Sequence, residues 1–78
     1  MQDLVEYIAR SLVDDPTQVE VYEKRRGNTA NVNLIVAKED MGRVIGRNGK
    51  VANAIRTLLR VAADRGDSRV NLRIVEPE

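Results

Sequence analysis

The sequence predicts an α/β chain of the α+β kind, in the order α-β-β-α-α-β, whose three-stranded mixed sheet carries its helices packed on one face. Three observations predict it. Apolar residues recur at helical spacing near the N-terminus and again in the third quarter of the chain. Three other stretches alternate apolar and polar residues, as half-buried strands do. A tight polar turn separates the first two of these stretches, whereas about thirty residues with two helical patterns separate the second from the third. The short link makes its strands an antiparallel hairpin, and the long one suits a crossover between parallel strands.

Leu4, Val5, Ile8 and Leu12 give an amphipathic helix over residues 3–13, with Asp3 as its cap. Asp14-Asp15-Pro16 stops it, because the residue before a proline is pushed out of the helical region. Val19-Glu20-Val21-Tyr22-Glu23 then alternates as a strand, with Tyr22 expected to cover the sheet. Lys24-Arg25-Arg26-Gly27-Asn28 reads as a polar turn, after which Asn31-Val32-Asn33-Leu34-Ile35-Val36 alternates again. Lys38-Glu39-Asp40 puts carboxylates at the start of a short helix over residues 39–45, where the helix dipole favours them. From Lys50 a longer helix sets Val51, Ile55, Leu58, Leu59 and Ala62 on one apolar stripe, with Asn53, Arg56, Thr57 and Arg60 largely opposite. Gly66-Asp67-Ser68 ends that helix, and Val70, Leu72 and Ile74 alternate through a last strand before Pro77. No repeat, linker or low-complexity segment interrupts the pattern, so residues 1–78 are expected to form a single domain.

A chain of this length buries only about 60% or a little more of its unfolded surface, so its core is modest. There is no cysteine and no histidine. Disulfides, thiolate chemistry, zinc sites built on those residues and histidine acid–base catalysis are thereby excluded, and no metal or other cofactor is expected. The N-terminus lacks a basic region followed by an apolar stretch, and the longest fully apolar run, Leu34-Ile35-Val36-Ala37, is far too short to span a bilayer. A cytoplasmic protein without membrane association is the expectation.

The net charge of +1 hides an asymmetry. Residues 1–40 carry five basic and eight acidic side chains; residues 41–78 carry eight basic and four acidic ones. No carboxylate lies between Asp40 and Asp64, while Arg43, Arg47, Lys50, Arg56 and Arg60 all do. Such a one-sign field is the local footprint of polyanion binding, although a charge run is also the ordinary dress of a solvated helix.

Within that stretch lies Val44-Ile45-Gly46-Arg47-Asn48-Gly49-Lys50. Glycine lets another molecule approach the backbone closely, and a helix starting at Lys50 leaves free N–H groups at its positive end. Together they form a seat for phosphate. A nucleotide P-loop would need a glycine at Val44 and a hydroxyl at Val51, so that reading fails. A dinucleotide fingerprint would also need glycine at position 44, and fails too. A helix-turn-helix remains a competing reading, opposed by the very short first helix and the flanking strands. The glycines could also do no more than shape a tight helix–helix corner.

The Val44-to-Lys50 segment, followed by the apolar Ile55, resembles the V-I-G-x-x-G signature of KH domains, and the element order resembles their bacterial type II arrangement. Leu4-Val5-Glu6-Tyr7-Ile8-Ala9, Asp40-Met41-Gly42-Arg43 and Ala54-Ile55-Arg56-Thr57-Leu58 resemble the small bacterial single-KH RNA-binding proteins of the KhpA (YlqC) type, over essentially the whole chain. One departure is Ala52, where many KH domains carry a branched aliphatic residue. The resemblance implies a GXXG loop that clamps about four nucleotides of single-stranded RNA by their backbone, with the bases in an adjoining groove. Gly46 and Gly49 would admit the sugar–phosphate chain, Arg47 and Asn48 would face its phosphates, and Arg43 and Lys50 would add charge at the rim. The groove would lie between the two helices and a wall of strand two with the 25–30 loop, which would put Arg25 and Arg26 within reach unless they are only solvated turn charges. Ile45 and Ile55 are apolar candidates near the groove, each better explained singly by core packing. The implied role is that of a post-transcriptional regulator or RNA chaperone. The implied partners, besides RNA, are a larger multidomain KH-containing RNA-binding protein and a second copy of the chain.

Other functions find less support. Tyr7 and Tyr22 are the only aromatic residues and neither sits in a base-stacking platform motif, so moderate, strongly salt-dependent affinity is expected. The adjacent carboxylate pairs Asp14-Asp15 and Glu39-Asp40 lie at helix boundaries, where capping or dipole effects explain them, and no nucleophile stands beside a base. No catalytic residue is assigned and an enzyme is not expected. A non-catalytic adaptor, dimerising with another KH protein, is the alternative.

Overall fold

A computed structural model describes residues 2–63 and 69–77. Its elements are α1 (Gln2–Leu12), β1 (Glu20–Arg26), β2 (Thr29–Ile35), α2 (Met41–Ile45), α3 (Lys50–Ala63) and β3 (Arg69–Val75). Single 3-10 turns at Pro16–Gln18, Lys38–Asp40 and Arg47–Gly49 join them. The order α-β-β-α-α-β agrees with the sequence reading.

The sheet runs β1-β2-β3, with β1 antiparallel and β3 parallel to the central β2. Alternation decides its faces. Val21 on β1, Ala30, Val32 and Leu34 on β2, and Leu72 on β3 are buried towards the helices. Val5 and Ala9 of α1, Val44 of α2, and Ile55 and Leu59 of α3 close the core over them. Ile8, Met41, Ile45, Val51, Val70 and Ile74 seal its margin. The intervening strand residues face away from the helices, and no helix of the described residues covers them.

Three local expectations are corrected. Lys24, Arg25 and Arg26 are not turn but strand, paired with Asn31, Ala30 and Thr29; the turn itself is Gly27-Asn28. A charged edge strand hides its identity because its outer residues need no apolar alternation. The α1 helix already includes Gln2, so Asp3 lies in its first turn rather than at its cap. On α3 the buried stripe is Ala52, Ile55, Leu59 and Ala63, whereas Leu58 is 54% exposed and Ala62 is exposed as well. Ala52, small and 3% exposed, lets α3 lie close to its neighbours. The expected stop at Gly66-Asp67-Ser68 lies outside the described residues.

Asp40 stands at the N-cap position of α2, at the helix start where carboxylates are expected, and has a further role. It makes no side-chain cap bond. Its carboxylate, 2% exposed, instead accepts the backbone N–H groups of Asp14 and Asp15 at 3.1 Å each. It ties the end of α1 to the start of α2, a role set by contacts 25 and 26 residues away in sequence. Asp15, as expected at a boundary, caps the turn at Pro16 by accepting from the Thr17 N–H.

Candidate nucleic-acid interface

The chain leaves β2 at Ile35, at the end of the sheet opposite the Gly27-Asn28 turn, and β3 starts beside Thr29 at the turn end. Helix α3 must therefore run back along the sheet, and the 46–49 turn that precedes it sits towards the far end from the hairpin. The Arg56 guanidinium, midway along α3, donates to the Leu72 carbonyl at 3.3 Å, midway along β3. The strand beside α3 is thus β3, an edge strand of the sheet. The central β2 has both edges paired, so the strand running beside α3 is β3 and not strand two, the expected wall.

The turn between α2 and α3 is built by backbone conformation. Gly46 has φ 75° and ψ 173°, a region essentially closed to other residues. A Cβ there would lie 2.5 Å from the Val51 side chain and 2.8 Å from its backbone nitrogen. Glycine at this position is thus required twice over, by angle and by space. Asn48 takes the left-handed conformation (φ 57°, ψ 27°), which asparagine tolerates better than most residues. Gly49 also has positive φ, but a Cβ there would meet only the Asn53 amide at 3.8 Å.

The hydrogen bonds of this turn leave a specific remainder. The Gly46 N–H donates to the Gly42 carbonyl, Gly49 to Gly46, and Lys50 to Arg47. The intervening N–H groups of Arg47 and Asn48 take no partner among the described residues. Both residues are exposed, as is Lys50. Two free donors, a lysine and the positive end of a 14-residue helix therefore converge on one spot. No carboxylate follows along α3 to oppose them.

The sequence-predicted residues do not all join this site. Gly46, Arg47, Asn48, Gly49 and Lys50 are together by construction. Arg43, on α2, is drawn into ion pairs with Asp14 at 2.8 Å and Asp40 at 3.5 Å, so its charge is largely answered on the α1 side. Ile45 is half-buried against the core and Ile55 is 3% exposed within it. Arg25 and Arg26 lie beside the hairpin turn, at the opposite end of the sheet, and Arg25 pairs with Glu23 at 3.4 Å. Conversely, Asn53 and Arg56 were read only as part of a polar helix face. Asn53 lies next to Gly49, accepts from Arg56 at 3.2 Å, and Arg56 reaches on to β3. Their spacing of four and seven residues from Gly49 was the available signal, since it puts them on one line down the helix.

Among the described residues no group of three or more potential metal ligands occurs, and no helix is long and apolar enough to cross a membrane.

Residues 2–74 match the family described as "KhpA/KhpB, KH domain". A protein of Caldanaerobacter subterraneus subsp. tengcongensis named RNA-binding protein KhpA is 47% identical over 75 residues, covering 96% of this chain and all of the relative. Its namesake in Clostridium acetobutylicum is 45% identical over the same shares of both chains. The one in Chlamydia caviae is 42% identical over 97% of each.

Proposed function

Because this chain belongs to the KhpA/KhpB family of KH domains, we propose that it binds single-stranded RNA, gripping the backbone through Gly46-Arg47-Asn48-Gly49. The observation that carries this reading is the pair of unpartnered N–H groups at Arg47 and Asn48, poised at the start of a helix with no acidic residue. Phosphate oxygens would take those donors, Lys50 and the Arg47 side chain would supply charge, and glycine at 46 would let the sugar–phosphate chain come close. The bases would lie towards Asn53, Arg56 and the outer edge of β3. Arg43 acts mainly by holding α2 in place, and Arg25 and Arg26 lie outside the grip. The whole chain acts as one non-catalytic, cytoplasmic RNA-binding domain, a post-transcriptional regulator or RNA chaperone.

The double substitution Arg47→Asp/Asn48→Asp tests the grip, with RNA affinity measured across a salt series. The expected result is a loss of at least about tenfold, with a shallower salt slope. Unchanged affinity in a folded variant refutes the grip. A preference for duplex DNA over single-stranded RNA would favour helix-turn-helix recognition instead.

A pairing role is supported by a separate observation. Leu58 and Val61 on α3 are 54% and 69% exposed, one helical turn apart, beside exposed Ala54 and Ala62. This apolar ridge suits a second copy or a related, larger KH protein. Multi-angle light scattering with and without RNA, on the chain and on Val61→Asp, reads it directly; a monomer in every case refutes self-pairing.

A further inference from the structure

The strand register arranges the sheet's uncovered face in rows of three. Tyr22, Asn33 and Arg73 form one row; Lys24, Asn31 and Asn71 the next; Arg26, Thr29 and Arg69 the one at the hairpin end. The row at the other end is Glu20, Ile35 and Val75. Tyr22, expected from sequence only to cover the sheet, is 52% exposed with its ring on this face. Lys24, Arg26, Arg69 and Arg73 are all exposed, and among the described residues none has a carboxylate partner. Among the described residues Glu20 is the face's one acidic side chain; it stands in the end row, next to Tyr22 on β1 and on the opposite outer strand from Arg73. Asn71 donates to Asn31 at 3.0 Å, which leaves one N–H of Asn71, both N–H groups of Asn31 and the Asn71 carbonyl for another molecule.

These groups are what a single strand of nucleic acid needs from a surface. A phenol ring at mid-sheet offers a stacking plane to any base. Cations on both outer strands, about 10 Å apart across the sheet, offer phosphate contacts on either side of it. The amides between them can meet base edges. An acidic protein segment would use the cations but leave the ring and the amides unemployed.

We propose that the open face of the sheet is a second contact surface for single-stranded RNA, on which a base stacks on Tyr22 while Arg73, Lys24, Arg26 and Arg69 hold the flanking phosphates. The surface is separate from the 46–49 turn, on the other side of the sheet from the helices, and it rests on reading the chain as an RNA binder. One protein would then engage two stretches of a longer RNA, or two RNAs.

The test uses the intact chain and unstructured RNAs of about four and about sixteen nucleotides. The variant Tyr22→Ala/Arg73→Gln, changed only at exposed positions, should lose about five- to a hundredfold in affinity for the longer RNA. It should bind the short one as the parent does. Direct evidence comes from emission: Tyr7 and Tyr22 are the only tyrosines and there is no tryptophan. In a Tyr7→Phe background, saturating RNA should quench Tyr22. Unchanged emission and unchanged affinity overturn the proposal. Equal quenching by polyglutamate also overturns it, in favour of an acidic protein partner. If Arg47→Asp/Asn48→Asp binds RNA normally and Tyr22 is still quenched, the grip fails and the sheet surface stands.

Discussion

Two short turns carry glycine and arginine together, and they behave differently. Gly27, at the hairpin tip, and Gly46, between the helices, both have positive φ, at 60° and 75°. Around Gly27 nothing lies within 4 Å of a would-be Cβ; around Gly46 the Val51 backbone and side chain leave no room. The hairpin needs glycine for its angles alone. The inter-helix turn needs it because α3 begins pressed against the turn, and that pressure leaves the amides of Arg47 and Asn48 without internal partners. Similar local sequence therefore yields a plain connector in one place and a preorganised donor pair in the other.

Breaking the comparison begins with Gly46→Ala. Forbidden angles and a backbone clash together should cost about 3 kcal/mol or more, enough to lower Tm by about 12 °C or more in a domain of this size, as calorimetry would show. Next in size is Asp40→Ala, which removes the acceptor of two N–H groups at the α1–α2 junction and should cost about 2–4 kcal/mol in urea unfolding. The hairpin has no such brace. Gly27→Ala should cost only about 1 kcal/mol, the penalty of the left-handed angle alone. An equal cost at positions 27 and 46 would dissolve the distinction. Smallest is Arg25→Gln, expected to alter RNA affinity by less than about threefold, because Arg25 is itself exposed and gives up a 3.4 Å pair with the half-buried Glu23 at the end of the sheet away from the 46–49 turn. A larger loss would bring the hairpin into the grip.

Much of this molecule was legible before its structure. Element order followed from periodicity, and the 46–49 turn from two glycines interrupting a helical pattern in an acid-free stretch. What could not be read was set by distant contacts. The acceptor role of Asp40 depends on where α1 ends, not on its own neighbours. Leu58 shares the helical spacing of Leu59, and only the seating of α3 decides that one is buried and the other bare. Lys24, Arg25 and Arg26 hid the end of β1, because an outer strand with one solvated face tolerates charge where alternation would otherwise mark it. The placement of β2 at the centre of the sheet puts β3, rather than strand two, beside α3, where Arg56 reaches it.

Arg56 has one more effect. By hooking the Leu72 carbonyl it takes one acceptor of β3 out of strand pairing, while β1, at the other border, is charged at five of its seven positions. Neither margin welcomes an additional strand from a neighbouring chain. Crowded copies of this protein are thereby steered away from ribbon-like polymers, and any association between them is left to the helical side.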